Sequence, residues 1–396
     1  MKTTSITFLL PFDIGRSYIL PVNFDWAAKL ETLPEDDDVR LSAHQFPDDV
    51  RAPLGKPLRM EIVDGPARKA VDKAIKRTTW CRDARVEVIF FPIGIAVLIV
   101  RAELGVPTGE AWHCFKEWEK GAYASFAPIG ELARDHFTSL ATRLKLPEIK
   151  DTARTPKEYD YPWIYPLFFT DGSAKIDEAA HLECIKTANV EVFVRWRSSQ
   201  VESPPLSAGN AQATRHFVES FYIIASVVWE MLNVTDTLLD TRLQELAHAQ
   251  VTARVSALAR MQSVRLLRAF CARALDGSHA LRWTVDQDAL KLLNAIHSAW
   301  DTGRWSGAVQ NKLELLVLFY EQNEADLRER QNFALAAVAL VIALVSTVSA
   351  CSDILNVIDP SSEMIKGRLT RAGLMLSLPL LGGMLTVFFL RRRKQH

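Results

Sequence analysis

Two uncharged apolar stretches near the end of the chain, residues 333–351 and 372–390, dominate its hydropathy pattern. Each holds 19 residues, or about 28 Å as helix at roughly 1.5 Å per residue. That nearly matches a hydrocarbon core of about 30 Å. Backbone polar groups in lipid must bond within their own segment, so the pattern predicts two membrane-spanning helices forming a C-terminal hairpin. Arg328 and Arg330 precede the first stretch, and Arg391, Arg392, Arg393 and Lys394 follow the second. The linker 352–371 holds Lys366, Arg368 and Arg371. This bias predicts a multi-pass protein of the inner (cell) membrane with both termini cytoplasmic. The apolar run 6–10 is too short for a signal peptide.

Upstream, residues 1–205 read as a cytoplasmic α/β domain. In 85–104 (RVEVIFFPIGIAVLIVRAEL) two β-branched runs flank Pro92-Ile93-Gly94, which predicts a hairpin with a three-residue turn. Further strands are expected at 6–10, where Pro11 and Asp13 end the run, and at 58–63, 164–169 and 190–196. Helices are expected at 67–76 and 109–123, and loops at 34–38 and 151–160. From 206 to 332 the apolar spacing takes the helical period, as in Val251, Val255, Leu258, Met261 and Val264. This predicts a stalk of three or four long helices. The last, from about Gln310, meets no breaker before Phe333 and should run into the first span. Residues 217–232 are apolar but carry Glu219 and Glu230, which favours a buried stalk helix over a third span. The expected fold class is therefore an α+β cytoplasmic domain, a helical stalk and, over 333–396, a two-helix transmembrane hairpin with a basic tail.

Composition changes this little. Lysine plus arginine equals aspartate plus glutamate, 47 each, so no basic excess marks a nucleic-acid partner. The five cysteines are scattered with no CxxC pair, which argues against a zinc site or disulfide framework. The histidines show no metal-ligand spacing, and no phosphate loop, GxSxG elbow or Ser-x-x-Lys motif occurs in the soluble part. No enzymatic chemistry, metal site or cofactor is indicated.

On the first span Ala336, Ala339, Ala343, Ser346, Ser349 and Asp353 recur at steps of three and four, and Asn356 extends the series. A small stripe that turns polar at one end suits a pore-facing helix, where an ion meets oxygen ligands. It equally suits close packing on the second span through Gly373, Ser377, Gly382 and Gly383. In the soluble part the best anion candidates are Arg68, Lys69, Lys73, Lys76 and Arg77, with Arg195 and Arg197 flanking Trp196. A solvated helix face is the plainer reading of the first group.

The order of soluble α/β domain, long helix EQNEADLRERQN (321–332) feeding a first span, second span and basic tail resembles the CorA-type divalent-cation channel family. The strand–turn–strand VIFFPIGIAVLIVRAE (88–103) is similar to that of CorA-like proteins from bacterial defence loci. The resemblance implies a homo-oligomer, a pentamer whose first spans line a pore, gated through the soluble domain by a nucleotide or protein trigger. It also implies a role in ion transport or as a membrane effector of antiphage defence. The family's Gly-Met-Asn signature is absent; Ser349-Ala350-Cys351-Ser352-Asp353 stands in its place, so a bound divalent cation does not carry over. A non-conducting membrane-anchored scaffold or receptor is the alternative.

Overall fold

The structure is a computed structural model that describes residues 4–16, 24–31, 38–48, 50–51, 54–76, 78–148, 163–170, 183–187, 190–202, 208–252, 257–358 and 367. At some of these, including 76, 246–252, 257–266 and 348–358, only the backbone is described. The second apolar stretch, the basic tail, Arg77 and the expected loops at 34–37 and 151–160 lie outside the described residues. The chain forms two compact units. One comprises residues 1–243 and 256–314; the other comprises 244–255 and 315–396.

The first unit is built on a nine-stranded sheet in the order β2-β3-β4-β5-β1-β6-β9-β8-β7. Its strands are β1 (Ser5–Asp13), β2 (Val39–Ala43), β3 (Leu58–Ile62), β4 (Cys81–Phe91), β5 (Ile95–Leu104), β6 (Tyr165–Thr170), β7 (Glu183–Lys186), β8 (Glu191–Val194) and β9 (Ser199–Glu202). The β4–β5 hairpin turns through Pro92-Ile93-Gly94, as expected. Gly94 donates its N–H to the Phe91 carbonyl at 3.0 Å and takes φ +89°, a left-handed value that glycine adopts without strain. β1 does not stop at Pro11. It continues to Asp13 because β6 pairs only as far as Leu9. Beyond that point β1 has a partner on one side alone, where a missing N–H is tolerated.

The alternation of β1 sorts the core. Ile6, Phe8, Leu10 and Phe12 share one buried cluster with Met60, Val88, Phe90, Leu98 and Val100, all covered by α2 (Gly65–Lys76) and α3 (Thr108–Arg143). α3 runs 20 residues past the expected end at 123 and through Pro128. Its buried row Ala122, Phe126, Ile129, Ala133, Phe137 and Leu140 keeps steps of three and four, so tertiary packing overrides the breaker. The opposite face of the sheet carries Ser5, Thr7, Glu87 and Arg101 toward Arg215 and Glu219 of α4 (Ala208–Thr252). α4 is the one described helix long and apolar enough, by length and composition, to cross a membrane. Its candidate stretch spans 210–245, and 83% of the most apolar part is buried in the protein. That burial matches the expectation for 217–232 as a core helix.

α5 (Ala257–Gly277) ends at Asp276-Gly277. α6 (Gln287–Ala299) is capped by Asp286, whose Oδ1 accepts from the Ala289 N–H at 2.8 Å. The short α1 (Trp26–Leu30) anchors its Trp26 indole on the Lys56 carbonyl at 2.8 Å.

Gly65 opens α2 at φ +88°, and a Cβ there would lie 2.6 Å from Asp38 Oδ2. Gly65→Ala is expected to cost about 1–3 kcal/mol through combined strain and clash. A melting temperature unchanged within error would contradict this.

Candidate functional site

The expected continuous helix is present: α7 (Thr302–Ile358) runs 57 residues without a break. Its first turns are fixed within the sheet unit. Lys312 Nζ sits 2.7 Å from Asp236 Oδ1 and 2.8 Å from Asp240 Oδ2 on α4, and Trp305 packs on Trp229 at 5.7 Å between ring centres. These two carboxylates raise the Lys312 pKa against the opposing effect of desolvation, so the clamp is charged at neutral pH.

Further along, in the second unit, α7 has a different character. Leu335 is 66% exposed, Val338 56%, Leu340 40% and Ile342 60%. Ala336, Ala339, Ala343 and Ser346, between and beyond them, are exposed as well. A helix that is apolar on every side, with only Phe333, Ala337 and Val341 half-buried among its described side chains over 333–343, has a surface made for lipid or for other apolar helices. Over residues 331–343 it forms a short apolar helix by the described side chains alone.

The small-residue series divides on this helix. At about 100° per residue, Ala336, Ala339, Ala343 and Ser346 fall within a strip about 80° wide. Ser349, Asp353 and Asn356 fall on an adjoining strip centred about 90° further round. Leu335, Val338 and Ile342 occupy that second strip nearer the start of the segment. The series advances by about 3.3 residues per step, shorter than the helical repeat, so only a left-handed supercoil keeps it on one side. The backbone of Ser349, Asp353 and Asn356 is helical, and their side chains lie outside the described residues.

The soluble anion candidates are not brought together. Arg68 is held on Asp72 Oδ1 at 3.1 Å and on the Ala84 carbonyl, while Lys69 and Lys73 are exposed. Only the backbone of Lys76 is described. Arg195 and Arg197 follow β8. α2 packs on β3 and β4, and β4, the nearer of the two, stands five positions from β8 in the sheet, or about 24 Å at 4.8 Å per strand. The two groups of candidates therefore lie on separate surfaces. Among the described residues no three His, Cys, Asp or Glu side chains are placed to hold a metal ion.

Sequence reading missed a buried ionic lattice between the sheet and α4. Glu219 accepts from Thr7 Oγ1 at 2.5 Å, Arg101 Nε at 2.9 Å and Arg215 Nε at 2.9 Å. Arg101 reaches Glu87 at 2.6 Å, and Arg59 Nε reaches the other Glu87 oxygen at 2.6 Å. Arg215 also donates to Ser5 Oγ at 3.0 Å and Thr7 Oγ1 at 2.9 Å, and its guanidinium lies 4.8 Å over the Phe169 ring. Burial alone would raise both carboxyl groups. Arg101 and Arg59 outweigh it at Glu87, as Arg101, Arg215 and the Thr7 hydroxyl do at Glu219, so both stay below the ordinary carboxylate range. The sequence signal was Glu219 itself, a charge inside an apolar run.

No protein-family model matches the chain, and no curated protein matches it. A solved structure described as the full-length CmaX protein aligns over 61% of this chain and 93% of that one, at 14% identity and a TM-score of 0.23. A score that low demonstrates no common fold.

Proposed function

We propose that this chain is a CorA-like membrane pore: a homo-oligomer whose α7 segment 333–351 crosses the bilayer, pairs with 372–390 as a hairpin, and conducts ions under control of the sheet unit. The observation that supports the reading is one unbroken helix whose first turns are clamped to α4 by Lys312 and whose later turns are apolar on all sides. A helix of that kind can carry a displacement of α4 to the membrane without an intervening joint. The hairpin, the orientation with both termini inside, the subunit number of five and a trigger of nucleotide or protein origin belong to the proposal, as does a role in antiphage defence.

In this reading Ala336, Ala339, Ala343 and Ser346 admit close approach around the axis, and Asp353 with Asn356 forms a polar mouth. A ring of Asp353 carboxylates concentrates cations there. Asp353→Asn is expected to leave assembly intact and move the reversal potential in a salt gradient toward zero selectivity. An unchanged reversal potential would remove Asp353 from the conduction path. The competing reading is a non-conducting anchor, in which the same helix only tethers the sheet unit. It predicts no flux from any variant.

A further inference from the structure

His44 directly follows β2, at the edge of the sheet. Its ring stands edge-on to Phe46 at 4.7 Å and 6.4 Å from the ring of His216 on α4. Its Nε2 is buried and has no hydrogen-bond partner among the described residues. Nearby, Arg59 places its Nε on Glu87, its one ion pair among the described residues, and its side chain is 39% exposed. The groups that act electrostatically on His44 are Glu87 on β4, His216 on α4, Arg59 on β3 and Arg101 on β5. Arg101 is also paired with Glu219, which Arg215 joins, so the whole network sets two carboxylates against three guanidinium groups. The next carboxylate on β3, Glu61, stands opposite Arg40 on β2 and opposite Glu87 on β4 in the strand register. Burial, and then His216, Arg59 and Arg101, outweigh Glu87 and hold His44 at a pKa of about 4, leaving the ring neutral at pH 7.

From this juxtaposition we infer that the β2–β3–α4 edge is a binding site for a phosphate-class oxyanion, gripped by the terminal nitrogens of Arg59 and by His44 Nε2–H, with the His216 imidazole beside it. The chemistry narrows the ligand class. A metal cation would sit against two guanidinium groups. An apolar ligand would leave the buried Nε2 unsatisfied. A water molecule would satisfy Nε2 but leave the local excess of positive charge unmatched. An oxyanion supplies acceptor oxygens and negative charge together, and Arg59 presents the fork geometry that binds them. The inference stands whether or not the protein conducts ions.

The test is a sulfate titration of the full chain in detergent at constant ionic strength, read by calorimetry. Sulfate remains a dianion from pH 8 to pH 5, so any pH dependence belongs to the protein. A bound anion favours protonated imidazole, so affinity is expected to rise tenfold or more across that fall in pH. Arg59→Gln should weaken binding at least tenfold. His44→Gln should retain part of the affinity but lose most of the pH dependence. Lys69→Gln with Lys73→Gln should match the wild type. Competition by adenosine monophosphate would identify a soluble phosphate, and competition by phosphatidylglycerol a lipid headgroup. Equal binding by wild type, Arg59→Gln and His44→Gln would overturn the site, as would competition by neither compound. The near-ultraviolet circular dichroism of each unliganded variant separates lost binding from lost folding.

Discussion

Replacing Glu219 with glutamine is expected to destabilise the sheet unit by about 3 kcal/mol, the lower end of what breaking a buried ion pair costs. The side chain is 3% exposed and accepts from three donors on three elements: Thr7 on β1, Arg101 on β5 and Arg215 on α4. Glutamine keeps the volume but removes the charge, which leaves two guanidinium groups half-sequestered. Their side chains are 24% and 28% exposed, so water relieves part of the cost. Arg215→Gln combined with Glu219→Gln should therefore cost less than the sum of the two single changes. Chemical denaturation measures all three variants. A Glu219→Gln variant within about 0.5 kcal/mol of wild type, the range of an ordinary surface change, would show that the lattice does not hold α4 to the sheet.

The same lattice sets an acid limit. Glu87 and Glu219 both titrate lower in the folded chain than their ordinary value of 4.5. Their contribution is complete above the unfolded pKa and is lost as pH falls through the lower folded values. Stability should thus decline below about pH 4.5, and less steeply in Glu219→Gln, which has one such group fewer.

The second large effect is expected at Ile342, the midpoint of 333–351 and 60% exposed in the structure. An arginine at the centre of a membrane helix costs about 3 kcal/mol in insertion. Ile342→Arg should accordingly lower the insertion equilibrium constant of this segment roughly hundredfold, while Ile342→Leu leaves it unchanged. Alkaline extraction of membranes measures the difference. Equal retention of the two variants would mean that α7 does not lie in lipid.

Much of the fold could be read from local pattern. The β4–β5 hairpin showed its alternation and its Pro-Ile-Gly turn, and α7 showed an unbroken helical period with no glycine or proline at its entry to the apolar segment. The strands that escaped notice are short. β2 has five residues and β7 and β9 four each, too few repeats for a face-sorting pattern to stand out. α3 extends 20 residues beyond the expected end at 123 because its packing row is visible only once the sheet is in place. The ionic lattice was illegible for a different reason. Thr7 and Glu219 meet across 212 residues of sequence, and Arg101 and Glu219 across 118, so no spacing rule links them. His44 likewise gains its meaning only from Arg59 and His216, which other elements bring to it. The run of basic residues on α2 was legible, but not that the fold holds Arg68 on Asp72 and the Ala84 carbonyl and leaves Lys69 and Lys73 in water.

Purified full-length protein reconstituted into liposomes, in a Cys351→Ala background, provides the most direct test of the pore. Ser346→Cys should support ion flux that a membrane-impermeant thiol reagent blocks, whereas Val341→Cys, on the far side of α7 at about 100° per residue, should conduct without block. Flux no greater than that of empty liposomes, or equal block at both positions, would contradict a pore lined by α7.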